Sequence, residues 1–231
     1  MINFLKNIKG IIVTPGQTLG KLMDKKQWVA SFILIIIAVL IFTYISTPFD
    51  IEKGSELIKD STLAEHFSED QIENIEHISN LNRIMASIWA SFISILVLIV
   101  ASFFTYLFYG IGKAEGLYIN YFSLVTNASI IDMLIPRLIR TLSLLFLNTN
   151  IAAYLNLSTL IPANTSYSLS SLIFSQIDIF SIWYLIAIAT GVAVFSKMSF
   201  KKSIFIAILY FLFKSITKIL FSYIFIKIIG S

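Results

Sequence analysis

Long uncharged stretches alternate with short charged ones along the chain. About 20 apolar residues in a helix are enough to cross the ~30 Å hydrocarbon core of a bilayer. Several stretches reach that length, and Trp28 and Tyr44 lie at the two ends of the first, as interfacial aromatic residues do. The pattern predicts an all-α integral membrane protein, a bundle of five transmembrane helices at residues 28–46, 84–110, 121–147, 179–196 and 203–226.

Two of these assignments have alternatives. The first stretch could be a cleaved signal peptide, but it exceeds the usual apolar length of about 7–15 residues and no small-residue cleavage site follows it cleanly. Pro136 lies inside the third stretch and predicts a kink, because proline lacks the N–H that the helix needs there. Two half-helices broken at Pro136 are the alternative to one kinked span.

Residues 1–27 predict amphipathic helices at the membrane interface. Lysines lie between apolar residues at helical spacing, which is typical of a helix in the headgroup region. Pro15 follows Thr14 and predicts the start of a second helix. We therefore divide the chain into an interfacial segment, 1–27, and one membrane domain, 28–231; the apolar residues of the segment are Phe4, Leu5, Ile8, Ile11, Ile12, Leu19, Leu22 and Met23.

The composition agrees with a membrane protein. Apolar residues make up 57% of the chain and charged residues only 13%, about half of the roughly 25% usual in soluble domains. These values exclude an ordinary soluble domain, a disordered chain and a nucleic-acid-binding protein. The chain has no cysteine, which excludes disulfides, thiolate metal sites and cysteine nucleophiles.

The distribution of charge predicts the orientation. Lys and Arg are enriched on the cytoplasmic side of membrane proteins, and five of the 17 here precede Trp28. Five spans place the basic turns around Lys113 and 197–202 on that same side. We expect a plasma-membrane protein with a cytoplasmic N-terminus and an external C-terminus. An acidic loop, 47–83, then lies outside and contains most of the acidic residues.

Six ionisable residues fall within or beside the last three spans. Charges in the hydrocarbon are costly, so they usually face the bundle interior and form pairs. At about 1.5 Å of rise per residue, Asp132 and Lys214 lie at the same depth, roughly 16 Å from the cytoplasmic side. We predict ion pairs Asp132–Lys214 and Arg140–Asp178, with Arg137 and Lys218 left as surplus positive charge. These residues are interpreted as fasteners of the bundle; an interior site for an anion or lipid headgroup, and a proton relay, are the alternatives.

No catalytic or cofactor motif is recognisable. Both histidines, His66 and His77, lie in the acidic loop, so no His-based dyad or metal site can lie inside the membrane. Glu73 and His77 lie one helical turn apart and are a weak candidate for a divalent metal; a solvated acidic face is the simpler interpretation. We expect no enzymatic activity, no cofactor and no metal.

The chain resembles the bacterial branch of the Yip (Ypt-interacting protein) family over nearly its whole length. The resemblance rests on Pro15 before the first span, Pro136 in the third, and Asp178 and Trp183 at the start of the fourth, besides the turns 112–116 and 197–202. It implies five spans, a cytoplasmic N-terminus and no catalytic residues. Eukaryotic relatives bind Rab-type GTPases, but their Asp-Leu-Tyr-Gly-Pro and Gly-Tyr-Gly-Tyr motifs and long N-terminal region are missing here, so GTPase binding is not expected.

These observations predict a non-enzymatic membrane scaffold or assembly factor. Its expected partners are membrane lipids and other membrane proteins, or further copies of itself, and not nucleic acid. The alternative is a transporter or permease subunit that binds an anion around Arg137, Arg140, Lys214 and Lys218. The two differ in structure, since a transporter needs a water-filled cavity beside these residues and a scaffold needs a closed core.

Overall fold

The computed structural model describes residues 2–59, 80–149, 151, 155–160 and 173–229. Within those ranges the chain forms helices and turns without a strand. The elements are α1 (Ile2–Val13), α2 (Pro15–Asp24), α3 (Val29–Lys59), α4 (Asn80–Ile111), α5 (Tyr118–Ser129), a π-helical segment (Ile130–Leu134), α6 (Ile135–Leu147), a 3-10 turn (Leu157–Leu160), α7 (Ile179–Phe195) and α8 (Phe200–Ile229).

Three helices are long and apolar enough to cross a membrane, over Val29–Glu52, Asn80–Ile111 and Phe200–Phe221. The shorter α7 is also apolar. Helices α5 and α6, of 12 and 13 residues, are joined without a break by the five-residue π-helical segment. This path and α7 correspond to the third and fourth predicted spans.

The polarity of α4 is inverted relative to a helix of a soluble protein. Its exposed face carries large apolar residues such as Trp89, Phe92 and Phe103. Its buried face carries small hydroxyl residues, each of which donates a hydrogen bond to a carbonyl oxygen one turn earlier. Small residues let helices approach closely in lipid, where apolar side chains gain nothing by facing inward. The buried hydroxyl residues are Ser87, Ser91, Ser94, Ser102 and Thr105.

The first span is longer than predicted. Helix α3 passes through Pro48 and ends at Lys59, so the prediction of a loop from residue 47 is wrong for residues 47–59. Proline cannot donate to the carbonyl oxygen four residues earlier, that of Tyr44. Arg83 of α4 supplies the missing donors, with Nε and Nη2 at 3.3 and 3.0 Å from Tyr44 O. The remainder of the predicted acidic loop up to residue 79 lies outside the described residues.

The third predicted span contains the π-helical segment. Ile135 N–H donates to Ile130 O, five residues earlier, which widens the turn immediately before Pro136. Leu134 and Ile135 both keep right-handed helical backbone angles. The wider turn gives the proline ring room that an α-helical turn lacks. The third stretch is therefore one continuous helical path, and the alternative of two half-helices broken at Pro136 is wrong.

The helical hairpin of α1 and α2 is part of the bundle. The apolar face predicted for α2 packs inside the protein, where its Leu19, Gly20, Leu22 and Met23 are buried. A Cβ atom built on Gly20 would lie 2.7 Å from Val194 Cγ1 of α7, and one on Gly16 would lie 3.0 Å from Thr190 Cβ. On α1, Ile11 is fully buried, whereas Leu5 and Val13 remain exposed.

Polar side chains of α5 fasten the end of this hairpin. Asn120 Nδ2 donates to Met23 O at 2.8 Å, Ser123 Oγ to Leu22 O at 2.9 Å and Asn127 Nδ2 to Gln27 O at 2.7 Å. Met23 O and Leu22 O also accept backbone hydrogen bonds from Lys26 N and Gln27 N, so the side chains of α5 add a second donor to each and attach the end of α2 to α5.

Candidate functional site: charged side chains between the helices

Asp132 lies on the π-helical segment and faces α8. Its Oδ2 is 3.8 Å from Lys214 Nζ, so the predicted contact between these residues is present. The side chain of Asp132 is 16% exposed and that of Lys214 is 41% exposed. Lys214 Nζ also lies 5.5 Å from the ring centroid of Tyr184 on α7, within the range of a cation–π interaction. The ammonium group thus joins three of the predicted spans.

The second carboxylate oxygen of Asp132 is buried, and no hydrogen-bond donor of the described residues reaches it. Arg137 and Asp178 lie within electrostatic range of the same carboxylate. The carboxylate oxygen without a hydrogen-bond donor thus belongs to a residue of the π-helical segment.

Arg137, predicted as surplus charge, has a structural partner. Its Nη1 donates to Met133 O at 3.0 Å, four residues earlier. Met133 belongs to the π-helical segment, so this hydrogen bond holds the guanidinium of Arg137 against the backbone of its own helical path. Lys218 has an exposed side chain and lies within electrostatic range of Asp132 and Asp178.

The predicted ion pair Arg140–Asp178 is wrong. Arg140 instead forms a salt bridge with Asp50, which α3 carries to this end of the bundle because it continues beyond Pro48. Asp178 caps α7: its Oδ1 accepts from Phe180 N at 2.8 Å and Ser181 N at 2.9 Å, and its Oδ2 from Ser181 Oγ at 2.6 Å. Both oxygens of this carboxylate are thus engaged within its own helix.

The cavity beside Lys214 is very small. It lies between α7 and α8, and its volume is about 10 Å³. A single water molecule needs about 10–15 Å³ measured in this way. Its walls are mainly the apolar or aromatic side chains of Tyr184, Leu185, Ile188 and Tyr210. Among the described residues, these charged side chains contact helices and backbone groups, and the cavity beside Lys214 is too small for an organic ligand.

A hydrogen-bonded group on the side of the lysine-rich turns was not predicted. Tyr109 OH of α4 donates to Ser203 O of α8 at 3.0 Å, and Ser203 Oγ donates to Ala189 O of α7 at 2.6 Å. In the sequence, Ser203 is recognisable only as the first residue of an apolar stretch, and this position does not indicate that it bonds to Tyr109 and Ala189.

The residues that carried the family resemblance occupy distinct positions. Pro15 is the first residue of α2 and is buried, and Pro136 follows the π-helical segment. Trp183 is 37% exposed on α7. The weak metal candidates Glu73 and His77 lie outside the described residues. Across the part of the chain that the structure describes, no group of three His, Cys, Asp or Glu side chains could hold a metal ion.

Comparison with family models agrees with this architecture. The model of the Yip1 domain matches residues 9–219, which include α2, the first four predicted spans and most of the fifth. The chain belongs to the Yip1 domain family. The resemblance inferred from sequence is thereby confirmed at the level of the family, which is not known as enzymatic. No curated protein and no solved structure matches the chain in the corresponding comparisons.

Proposed function

We propose that this Yip1-domain protein is a non-enzymatic scaffold or assembly factor of a bacterial plasma membrane. It crosses the membrane five times, with a cytoplasmic N-terminus, and acts through contacts with other membrane proteins or lipids. The observation that carries the proposal is that the interior charged side chains have partners within the protein. Asp132 faces Lys214, and Arg137 binds a backbone carbonyl. Arg140 pairs with Asp50, and Asp178 caps a helix.

The outer surface supports the same proposal. Helices α4 and α8 expose large apolar side chains, among them Trp89 at 63%, Phe205 at 61% and Phe221 at 71%. Such faces suit lipid or the helices of another membrane protein, because contiguous apolar surface marks an interaction surface. A scaffold needs this outer surface and no interior passage.

Cysteine labelling separates a scaffold from a transporter. Because the chain has no cysteine, single substitutions can be read without background. Ile188→Cys lies in the wall of the small cavity beside Lys214, and Ser199→Cys is the matched control on the exposed turn between α7 and α8. We expect a charged maleimide to modify position 199 in open membranes and to leave position 188 unmodified until the protein is denatured. Comparable labelling rates would indicate a water-filled path and overturn the scaffold proposal.

Cross-linking in native membranes tests the scaffold role itself. A lipid-soluble photoreactive group at Trp89, on the exposed face of α4, should give reproducible adducts with a membrane protein or with a second copy. The same group at Leu98, on the buried face of that helix, should react only within the chain. Recovery of lipid adducts alone from both positions would contradict a role in protein assembly.

A further inference from the structure

The hairpin of α1 and α2 lines an open basic cavity of about 520 Å³. Four exposed lysines, Lys6 and Lys9 of α1 with Lys21 and Lys25 of the α2 end, line it together with amide and hydroxyl side chains such as Gln17. Asp24 is the one acidic residue of these two helices, and it is not part of the wall. The charge of the cavity is therefore uniformly positive and suits an anion.

A second cavity, about 490 Å³ in volume, adjoins the first. The two share Asn7, Leu22 and Gln27 in their walls. The remainder of the second wall is mostly apolar, with Ile8, Ile11 and Trp28, although it also includes Lys26, and it continues onto the first residues of α3. A positively charged cavity thus shares part of its wall with a mostly apolar one at the beginning of a membrane-spanning helix.

We propose that the two cavities hold one anionic phospholipid. Its phosphate lies among the four lysines, and one acyl chain lies along Ile8, Ile11 and Trp28 towards α3. Lysine binds phosphate as a point charge with several donors, and each basic residue near a membrane surface strengthens the attraction to anionic lipid. Because a free phosphate would leave the apolar compartment empty, the pair of cavities fits an amphiphile with a charged head.

The depth of the hairpin supports a lipid as the occupant. Gly16 lies against Thr190, five residues before the end of α7, so the turn between α1 and α2 reaches about 8 Å along that helix at 1.5 Å per residue. The lysines lie between this turn and the end of the bundle that carries the other lysine-rich turns. A headgroup at this level leaves its acyl chains beside the apolar start of α3.

The test is native mass spectrometry of the purified full-length chain with palmitoyl-oleoyl phosphatidylglycerol or with phosphatidylcholine of the same acyl chains. We expect phosphatidylglycerol to be retained preferentially as a one-to-one complex. Replacing Lys6, Lys9, Lys21 and Lys25 by Gln should reduce its retention at least about tenfold, since each lysine contributes to the attraction. Replacing the same four by Arg should keep it. The control replaces Lys113, Lys197, Lys201 and Lys202 by Gln, which removes equal charge from residues that line neither cavity.

Two further measurements test the nature of the ligand. Ala30→Trp, in the wall of the apolar cavity, should lower retention of the phospholipid by obstructing its acyl chain. Inorganic phosphate should neither displace the lipid nor raise the Tm as the lipid does. The proposal is overturned if phosphatidylcholine binds equally, if both sets of Lys→Gln changes have the same effect, if Ala30→Trp has none, or if phosphate replaces the lipid. The measurement needs no protein partner, so its result is independent of the scaffold role.

Discussion

Arg83 supplies hydrogen-bond donors to a backbone carbonyl that Pro48 leaves without a partner in its own helix. Arg83 donates twice to Tyr44 O, the carbonyl that Pro48 leaves unpaired, and its guanidinium lies 4.2 Å from the Tyr44 ring centroid. Arg137 donates to Met133 O next to Pro136. An unpaired backbone group inside hydrocarbon costs several kcal/mol, so Arg83 stabilises α3 around Pro48.

Arg83→Gln tests this at the level of one residue. We expect it to lower the free energy of unfolding by about 1–3 kcal/mol, because Tyr44 O loses its donors. Adding Pro48→Ala should recover most of the loss, since alanine restores an N–H four residues after Tyr44. Unfolding of the purified variants measures both effects. If the double variant were as unstable as Arg83→Gln alone, the carbonyl would not be the reason for the loss.

Residue depth was predictable from sequence, whereas the choice of partner was predictable only in part. The helical rise alone placed Asp132 and Lys214 at one level, and the structure has them in contact. The same arithmetic paired Arg140 with Asp178 incorrectly. A helix N-terminus offers Asp178 nearer donors in its own backbone, and the predicted loop 47–83 includes Asp50, which the structure places on α3.

Among the elements, α2 packs closely against α7. Gly16 and Gly20 lie one turn apart and face Thr190, Val194 and Gly191 of α7. Glycines four residues apart allow two backbones to meet in a membrane protein. This spacing in the sequence, with Asn120, Ser123 and Asn127 at helical spacing on α5, could have revealed that the hairpin is buried. Amphipathic periodicity alone did not, because a helix packed in the bundle and one on a membrane surface share it.

Gly191→Ala and Gly110→Ala form a matched pair at the scale of helix packing. A Cβ on Gly191 would lie 2.7 Å from Leu124 Cδ1 and 3.0 Å from Leu19 Cβ, whereas one on Gly110 has no neighbour within 4 Å. We expect Gly191→Ala to destabilise the protein by about 1–3 kcal/mol through overpacking. Gly110→Ala should be neutral or stabilise it by up to about 1 kcal/mol, because alanine is the better helix former. Equal Tm values for the two variants would contradict close packing between α2 and α7.

For the whole molecule, the apolar stretches predicted the helices well because membrane thickness sets their length. The observed α7, Ile179–Phe195, differs from its prediction by one residue at its C-terminal end. Where prediction failed, at the end of α3, the deciding contacts join residues far apart in sequence. Lysine-bearing turns also gather at one end of the bundle: Ser196 Oγ lies 3.3 Å from Glu115 O, and the end of α2 bonds to Asn120.

The most direct measurement is the side of the membrane on which each end of the chain lies. Short epitope tags at the two ends, exposed to protease in spheroplasts and then in lysed membranes, report both positions in one experiment. Five crossings predict that protease outside removes the C-terminal tag and that the N-terminal tag is cut only after lysis. Removal of both tags from outside, or protection of both until lysis, would mean an even number of crossings and would contradict the five-span bundle.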